Sequence, residues 1–394
     1  MELKPFEKRV LLASATMHEE ELKYIHEAFD TNWVTTVGEN LNQLEKSIKE
    51  KLNIKGAVAL GSGTSALHLA VKLAGLKQDE VVFAQSLTFD ATVNPVMYEK
   101  GKLVFIDSER DTWNMDPKAL EKAFEKYPEC KIVMCVNLYG TPCKLDEIKA
   151  ICDKHGATLI EDAAESLGAT FKGQPTGTFG KYNAISFNGN KIITTSGGGM
   201  LLTENEEDAE HARKWSTQAR DKAPWYQHTE LGYNYRLSNV LAGIGRGQLL
   251  HLDEHIAAKK AIYERYKEGL KDLPVTMNPY LDYSEPIYWL SCLLIDKDAM
   301  CKQTRGDLDY SYETEPGKSC PEQIRETLEK YNVESRPIWK PMHLQPIYKN
   351  NDYICLDEDV SKDIFDRGIC LPSDIKMTVE EQNKVIEIIK SCFE

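Results

Sequence analysis

The segment GAVALGSGTSALHLA, residues 56–70, joins an apolar run, a glycine turn and the start of an apolar helical pattern. It predicts a strand, a tight turn and a helix, the unit from which α/β proteins are built. Backbone N–H groups at such a helix start, with the hydroxyls of Thr64 and Ser65, form a phosphate site because the helix dipole favours an anion there.

The glycine spacing of this turn also fits a dinucleotide fingerprint. A nicotinamide site needs an acidic residue about 20 residues later, at the end of the next strand. The next apolar run, residues 81–85, is followed by Ser86, whereas Asp79 and Glu80 stand before it. The pattern therefore favours a lone phosphate. A nicotinamide-binding or non-catalytic α/β protein is the alternative.

Apolar runs continue to alternate with helical patterns beyond this segment. They lie at Ala57 to Leu60, Val81 to Ala84, Leu103 to Ile106, Ile132 to Val136, Thr158 to Ile160 and Ala184 to Phe187. The alternation predicts an α/β fold with a mainly parallel sheet in a large domain. The apolar and charged stretch from Ser238 to Leu270 predicts a helix that leaves this domain.

A smaller α+β domain is predicted for the C-terminal part of the chain. A strand pattern at Tyr288 to Ile295 and helical patterns at Cys320 to Tyr331 and Thr378 to Cys392 indicate it. A length of 394 residues, 42% of them hydrophobic, allows such a division, which we predict at 1–250 and 251–394. The polar and acidic residues Cys301 to Lys318 show no clear period and predict a mobile loop.

Lys191 lies between a polar turn and a glycine-rich run, in SFNGNKIITTSGGG, residues 186–199. A lysine that is held by a tight turn and partly buried can form an imine with an aldehyde. The alternative is an exposed lysine beside a glycine turn, one of 48 basic residues.

Carboxylates end the apolar run at residues 157–160, where ligands of open α/β sheets bind. Adjacent strand residues point to opposite faces, so Glu161 and Asp162 cannot share a role. One of them can face a bound ring and keep a pyridine nitrogen protonated. A helix N-cap aspartate is the alternative. Phe89, in the polar loop 86–95, could cover a planar cofactor or belong to the core.

In chain order, the phosphate turn, the aromatic loop, the strand-end carboxylates and the lysine turn resemble the pyridoxal-phosphate sugar aminotransferases of the DegT/DnrJ/EryC1/StrS family. The resemblance runs from about Asn32 to Ser373. It implies the PLP-dependent transferase fold type I, which is aspartate aminotransferase-like, and pyridoxal 5'-phosphate as cofactor.

The resemblance also implies roles for individual residues. Lys191 takes the position that bonds to the cofactor and then moves a proton between cofactor and sugar. Asp162 matches the residue that holds the pyridine nitrogen. Thr64, Ser65 and Ser186 match the residues that hold the phosphate.

Further matches concern the ring and the neighbouring subunit. Phe89 matches an aromatic residue that stacks on the ring. Asn234 matches an asparagine that reaches the cofactor phosphate of the adjacent subunit, which implies a homodimer with shared active sites. Many relatives have glutamine or histidine where this chain has Glu165, and an acidic residue inside the glycine run. Glu165 near a phenolate oxygen needs a proton or a donor between them.

Three strings resemble one subgroup of the family, the enzymes that aminate C4 of UDP-4-keto-6-deoxy-N-acetylglucosamine to make a bacillosamine-type precursor. The strings are residues 186–200, 216–220 and 336–343. L-Glutamate is then the expected amino donor. The alternatives are a sugar 3-aminotransferase or a dehydratase that acts on a dTDP- or GDP-linked keto sugar. Resembling 3-dehydratases replace the lysine with histidine.

A formal net charge of −14 argues against nucleic acid as a partner. An anionic nucleotide sugar requires a local positive field against this charge. Candidate substrate-binding residues are Asn32, Arg220, Arg336, Trp339, Lys340 and His343. Trp339 beside Lys340 suits a uridine diphosphate because an aromatic plate adjoins a cation.

Location and metal content are predicted from what the sequence lacks. Met1 to Arg9 is charged and lacks a signal-peptide pattern, and no apolar run of about 18 residues occurs. The 10 cysteines are scattered without zinc-ligand spacing. We therefore predict a cytoplasmic protein with reduced thiols, no bound metal and no membrane contact.

Overall fold

The computed structural model describes residues 4–394. Its α-helices are Glu20–Asp30 (α1), Glu39–Leu52 (α2), Gly63–Leu73 (α3), Asn94–Tyr98 (α4), Pro117–Lys126 (α5), Leu145–His155 (α6), Glu206–Ser216 (α7), Asn239–Leu249 (α8), Leu252–Gly269 (α9), Pro321–Lys330 (α10), Val360–Arg367 (α11) and Val379–Lys390 (α12).

The strands of the first part of the chain are Gly56–Leu60 (β1), Val81–Gln85 (β2), Lys102–Ile106 (β3), Ile132–Val136 (β4), Thr158–Asp162 (β5), Thr170–Phe171 (β6), Gln174–Pro175 (β7), Tyr182–Ser186 (β8) and Gly199–Thr203 (β9). The remaining strands are Val275–Met277 (β10), Ser284–Glu285 (β11), Ser291–Ile295 (β12), Gln303–Arg305 (β13), Tyr310–Tyr312 (β14), Arg336–Pro337 (β15), Asp352–Ile354 (β16) and Gly368–Leu371 (β17).

The largest sheet has eight strands in the order β1-β9-β8-β5-β4-β2-β3-β16. Strand β9 is antiparallel to both of its neighbours, and the other strands run parallel to one another. Helices cover both faces, and residues of its inner strands are fully buried, as in β4 and β8. The predicted α/β fold with a mainly parallel sheet is confirmed.

Helix α3 starts beside the carboxyl ends of the parallel strands of this sheet. The Ser62 side chain caps it by accepting a hydrogen bond from the Ser65 N–H. Its apolar face, which includes Leu67 and Leu69, packs in one cluster with Val58 and Leu201 of strands β1 and β9. Burial of this face fixes the helix against the sheet, so that its N-terminus points to the strand ends.

A second sheet has the order β10-β12-β17-β15, and its strand pairs are antiparallel. Its core packs Leu293 and Ile369 against Ile262 of α9 and Val385 of α12. Strand β16, from the same part of the chain, instead pairs with β3 in the large sheet. The division at residue 250 stays a prediction.

The helical prediction for residues 238–270 is wrong in one respect, because two helices occupy the stretch. Helix α8 ends at Leu249 and α9 begins at Leu252. Helix α8 is fixed by close packing on α1, where a Cβ on Gly247 would lie 2.7 Å from the Glu21 nitrogen. Helix α9 packs on the second sheet instead, and a change of direction between two such surfaces leaves no mark on the apolar pattern.

Residues 301–318, for which the sequence predicts a mobile loop, contain two short strands. Strands β13 and β14 pair there as an antiparallel hairpin. The Arg305 guanidinium donates a hydrogen bond to the Phe365 carbonyl at 2.6 Å, and the Tyr312 hydroxyl donates one to the Glu326 carboxylate at 2.7 Å. Strands of three residues are too short to show a period. Strand β12 likewise begins at Ser291 rather than Tyr288, because Tyr288 has a φ of 52° that interrupts the extended chain.

Two features are absent from residues 4–394. No helix there is long and apolar enough to cross a membrane. No group of three or more His, Cys, Asp or Glu side chains in that range is arranged to hold a metal ion.

Lys259 of α9 connects the start of β12 to the C-terminal part of the chain. Its ammonium is buried and donates to the carbonyls of Trp289, at 3.0 Å, and Ser373, at 2.5 Å. Burial lowers the pKa of Lys259 to about 8, although the charge of Asp374 opposes this shift. A buried cation thus fixes the chain segment that carries Trp289.

Replacing Lys259 by methionine should change how stability depends on pH. Between the folded pKa of about 8 and the ordinary value of 10.5, the unfolded chain binds the proton and the folded chain does not. The stability contributed by Lys259 therefore rises with pH over this window. The free energy of unfolding of wild type minus that of K259M should increase by about 2 kcal/mol from about pH 7.5 to about pH 10. Urea unfolding at both pH values measures it, and an unchanged difference would contradict the assignment.

Candidate active site

A cleft of about 340 Å³ opens at the carboxyl ends of strands β4, β5 and β8. Its wall includes Asp162 and Ser186 from the strand ends, Thr64 from α3 and Lys191 from the following turn. Strand-end clefts are where open α/β sheets bind ligands, because the loops there are free to diverge. The structure thus brings together residues that are more than 120 positions apart in the sequence.

The first turn of α3 forms one end of the cleft. Its leading N–H groups have no intrahelical acceptors. They lie at the positive end of the helix dipole, which favours an anion. Thr64 lines the cleft, whereas the Ser65 hydroxyl lies 2.9 Å from the Ser62 hydroxyl, which also lines it. The Ser186 hydroxyl accepts the Asn188 N–H at 3.3 Å. The side chains of Ser62, Thr64 and Ser186 and the free amides therefore line a site suited to phosphate.

Glycine at position 199 is required by the packing of this turn. A Cβ there would lie 2.4 Å from the amide nitrogen of Gly63. Strand β9 therefore touches the helix start with its bare backbone, and Gly197 and Gly198 before it line the cleft. The glycine run after Lys191 thereby allows the lysine turn to approach the phosphate turn.

Glu161 and Asp162 have separate roles, as strand alternation predicts. Glu161 points away from the cleft and accepts hydrogen bonds from the Gly177 N–H at 2.7 Å, the Phe179 N–H at 2.9 Å and Asn137 at 2.8 Å. Asp162 lines the cleft. Glu161 is therefore a structural carboxylate, and Asp162 is the one that a ligand can reach.

Two donors hold the Asp162 carboxylate in place. The Thr92 hydroxyl donates at 2.7 Å and the Ala164 N–H at 3.0 Å. Burial raises the pKa of Asp162, and these two hydrogen bonds and the charge of Lys191 act in the opposite direction. A buried carboxylate of this kind gains from a cationic partner in the cleft.

Lys191 and Glu165 face each other at the centre of the cleft. The lysine Nζ lies 3.2 Å from Glu165 Oε1, and the two side chains are 13% and 4% exposed. The Tyr139 N–H donates to the second carboxylate oxygen at 2.7 Å. Burial raises the pKa of Glu165, against the charge of Lys191. This burial excludes the alternative of an exposed surface lysine.

Aromatic side chains form the remaining wall. The Phe89 ring is 58% exposed and lies 5.3 Å from the Trp339 ring. Trp339 in turn lies 5.1 Å from the buried Tyr139 ring and 6.4 Å from Trp289. Phe89 is therefore not a core residue, and its ring is free to cover a planar ligand.

Several predicted substrate residues do not line the cleft formed by the described residues. Asn32, Arg220 and Arg336 are exposed at the surface, and so is Asn234, which is predicted to reach the cofactor phosphate of the neighbouring subunit. Arg220 lies 5.4 Å from the Tyr226 ring, and Arg336 pairs with Glu334 at 3.2 Å.

Lys340 and His343 are engaged by other residues. Lys340 pairs with Asp307 at the tip of the β13–β14 hairpin, at 2.9 Å. His343 contacts Ser86 at 2.6 Å and Asp359 at 3.1 Å through its two ring nitrogens. Among the predicted substrate residues, Trp339 lines the cleft.

Sequence reasoning missed three residues of the site. Ser62 caps α3, and Thr92 supports Asp162. Both stand in motifs that the sequence singles out, and N-cap preference for serine could have identified Ser62. Trp289 lies 4.0 Å from the Lys191 Nζ, measured to its ring centroid. No local pattern signals Trp289, because it reaches the cleft from the second half of the chain.

The sequence model of the DegT/DnrJ/EryC1/StrS aminotransferase family matches residues 15–390. The chain belongs to this family. The protein EpsN of Bacillus subtilis (strain 168), named as a pyridoxal phosphate-dependent aminotransferase, is 45% identical over 393 residues, or 98% of this chain and 96% of EpsN. GDP-perosamine synthase of Caulobacter vibrioides is 32% identical over 382 residues, 96% of each chain.

A solved structure supports the same assignment. The DegT DnrJ EryC1 StrS aminotransferase from Brucella abortus matches with a TM-score of 0.84 and 25% identity, over 95% of each chain. The chain is thus a pyridoxal phosphate-dependent sugar aminotransferase of fold type I, and pyridoxal 5'-phosphate is its cofactor. The nicotinamide-binding and non-catalytic interpretations are wrong.

The residue types along the cleft suit the parts of this cofactor. A helix N-terminus with hydroxyls suits the phosphate, a buried carboxylate suits the ring nitrogen, and a buried primary amine suits the aldehyde.

Proposed function

We propose that this DegT-family enzyme moves the amino group of L-glutamate to C4 of a nucleotide-linked 4-keto-6-deoxy sugar. The proposed substrate is a UDP-2-acetamido-4-keto-6-deoxyhexose, and the product serves cell-surface polysaccharide or glycan synthesis in the cytoplasm. The observation that carries the chemistry is the buried Lys191 amine, 3.2 Å from Glu165 and in the same cleft as Asp162.

Lys191 is the proposed catalytic residue. When bound, pyridoxal 5'-phosphate supplies an aldehyde for a lysine and an electron sink for the carbon that carries the nitrogen. The Lys191 side chain lines the cleft, and its Nζ lies 3.2 Å from the Glu165 carboxylate, which lines the cleft as well. Once free, this amine can accept a proton at Nζ and return it to a neighbouring carbon. Burial in the cleft keeps bulk water from this transfer.

Asp162 is the proposed partner of the cofactor's ring nitrogen. The Thr92 hydroxyl and the Ala164 N–H fix the orientation of its carboxylate. A fixed anion at this point holds a proton on a ring nitrogen, and a protonated ring accepts electrons. Phe89 is proposed to cover the ring, and Thr64, Ser65 and Ser186 to hold the phosphate.

Glu165 is proposed to act as a proton-carrying neighbour of Lys191. Burial raises the pKa of its carboxyl group above the ordinary glutamate value, against the charge of Lys191. We propose a form of Glu165 that carries a proton. Such a carboxyl group can donate to a phenolate oxygen while the Tyr139 N–H holds its second oxygen. The proton on Glu165 would then serve as the donor that is needed between its carboxyl group and the phenolate oxygen.

A homodimer with shared active sites is part of the proposal. Asn234 is exposed, as expected of a residue that serves the neighbouring subunit's phosphate. Trp225, Tyr226 and Leu231, just before it in the chain, are 66%, 80% and 73% exposed. Exposed apolar groups in one segment support a protein contact there.

The nucleotide is proposed to bind at the rim. Trp339 lines the cleft and Lys340 follows it in the chain, and a diphosphate could replace Asp307 as the partner of Lys340. Asn32, Arg220, Arg336 and His343 remain proposed substrate residues. For the exposed ones, a role depends on the neighbouring subunit, because their side chains lie outside this subunit's cleft.

A second candidate is action on a differently linked sugar. The relationship to GDP-perosamine synthase, at 32% identity, favours a GDP carrier for this alternative. Amination at C3 of a dTDP-linked sugar and sugar dehydration are the other forms. The lysine at position 191 counts against dehydration, because resembling dehydratases carry histidine there.

Product analysis by NMR distinguishes these candidates. The holoenzyme is incubated with L-glutamate and, in separate reactions, UDP-4-keto-6-deoxy-N-acetylglucosamine, a GDP-4-keto-6-deoxyhexose or a dTDP-3-keto-6-deoxyhexose. We expect a C4-amino product from the UDP sugar, with one 2-oxoglutarate formed per amino sugar. Turnover of only the GDP or dTDP sugar would overturn the substrate and leave the amino transfer intact.

A further inference from the structure

Hydrogen bonds hold the backbone on both sides of Lys191. The Trp289 indole N–H donates to the Asn190 carbonyl at 2.7 Å. The His255 Nδ1 donates to the Ile192 carbonyl at 2.8 Å. The lysine side chain is therefore mounted on a segment fixed by two ring donors from outside the lysine turn.

Trp289 contacts Lys191 a second time, through its ring. The Nζ lies 4.0 Å from the ring centroid, while Glu165 lies 3.2 Å away. An ammonium over an indole face is attracted by the ring quadrupole, and burial strengthens this attraction. The free amine thus has a defined position between a carboxylate and an aromatic face.

Trp289 is itself held firmly. It is 3% exposed, its carbonyl accepts the buried Lys259 ammonium at 3.0 Å, and Tyr139 stacks at 6.3 Å with an interplanar angle of 22°. The residue before it, Tyr288, has a φ of 52° and turns the chain towards the cleft. These contacts leave the indole little freedom to move.

We propose that Trp289 is a positioning residue for Lys191: its indole N–H fixes the lysine turn, and its ring face holds the lysine Nζ when the lysine is free of the cofactor and carries a proton. This inference rests on the proposed role of Lys191. In an amino transfer the lysine is released and must move a proton while free. An amine without this support would sample positions outside proton-transfer distance, which slows that step and leaves substrate binding unchanged.

Two variants separate the two contacts. Trp289→Phe keeps a ring face and loses the N–H donor, whereas Trp289→Met fills much of the volume and has no ring. Trp215→Phe is the matched control. Trp215 is also buried, donates its indole N–H to Glu230 at 2.7 Å and lies 5.3 Å from a lysine, Lys72, outside the cleft.

The first measurement is the primary isotope effect on kcat with 2-deuterated glutamate. We expect W289M to lower kcat at least about tenfold with KM for glutamate nearly unchanged, and to raise the isotope effect. We expect W289F to show a smaller decrease in kcat and a smaller increase in the isotope effect than W289M. We expect W215F to match wild type. A loss of kcat in W289M with the wild-type isotope effect, or wild-type kcat, would overturn the proposal.

The second measurement does not depend on turnover. Pyridoxal 5'-phosphate is added to the apoenzyme, the rate of covalent bonding is followed by absorbance, and the labelled lysine is identified after borohydride reduction. We expect slower bonding in both Trp289 variants, with the label still on Lys191. If W289M does not fold, W289F decides, and a wild-type bonding rate and isotope effect in it would overturn the proposal. Absence of label on Lys191 in wild type would instead refute the proposed role of Lys191.

Discussion

Replacing Lys191 by alanine is expected to lower kcat for amino transfer by more than about 10⁴-fold. The variant removes the only group in the cleft for which we propose both covalent bonding to the cofactor and proton transfer. Purified wild type should absorb visible light and change its spectrum when glutamate is added. Lys191→Ala should lose the covalent bond and that fast spectral response.

Two further variants make this result specific. Lys191→Arg keeps a positive charge beside Glu165 but cannot bond to an aldehyde, so it should be as inactive as the alanine variant. Lys181→Ala removes an exposed lysine that lies 5.1 Å from the Tyr182 ring, and it should retain wild-type activity. A folded Lys191→Ala enzyme that kept the wild-type spectrum and glutamate response would contradict the account.

The second large effect is expected from Asp162→Asn, which should lower kcat by about 10³-fold. The asparagine can keep both local contacts, because its oxygen can accept the Ala164 N–H and its amide can donate to the Thr92 hydroxyl. It cannot supply the negative charge that we propose holds a proton on the ring nitrogen. Stability should stay near that of wild type, since burial raises the pKa of Asp162 and already disfavours its charge.

The adjacent carboxylate provides a matched comparison. Glu161→Gln leaves one oxygen to serve donors that two oxygens now serve, from Gly177, Phe179 and Asn137. It should lower the free energy of unfolding by about 1–3 kcal/mol and leave the specific activity of the folded fraction unchanged. Single-turnover kinetics with glutamate and urea unfolding measure both variants. Equal losses of activity in the two would contradict the separate roles of the two faces of β5.

Features set by neighbouring residues could be predicted from the sequence. The strand–turn–helix at residues 56–70 appears as β1 and α3 because a short apolar run and a serine cap specify it locally. Alternation along β5 likewise predicts that the side chains of Glu161 and Asp162 point to opposite faces of the sheet. The prediction that Lys191 is partly buried is confirmed. The glycine run that follows it lets the backbone at Gly199 contact the backbone at Gly63.

Features set by distant packing could not be predicted. Trp289 contacts Lys191 although 98 positions separate them in the sequence, and β16 pairs with β3 although about 250 positions separate the two strands. The break between α8 and α9 depends on two packing surfaces, one of them made by α1. Charge is what indicates exposed candidates such as Arg220 and Arg336 in the sequence, and charge does not say which side chains a subunit turns into its own cleft.

Borohydride reduction of the holoenzyme, followed by trypsin and mass spectrometry, tests the central claim most directly. Trypsin does not cleave after a modified lysine, so the account predicts one labelled peptide, from Tyr182 to Arg213, with Lys191 uncleaved and carrying the reduced cofactor. A label on another lysine, or no covalent label at all, would contradict it.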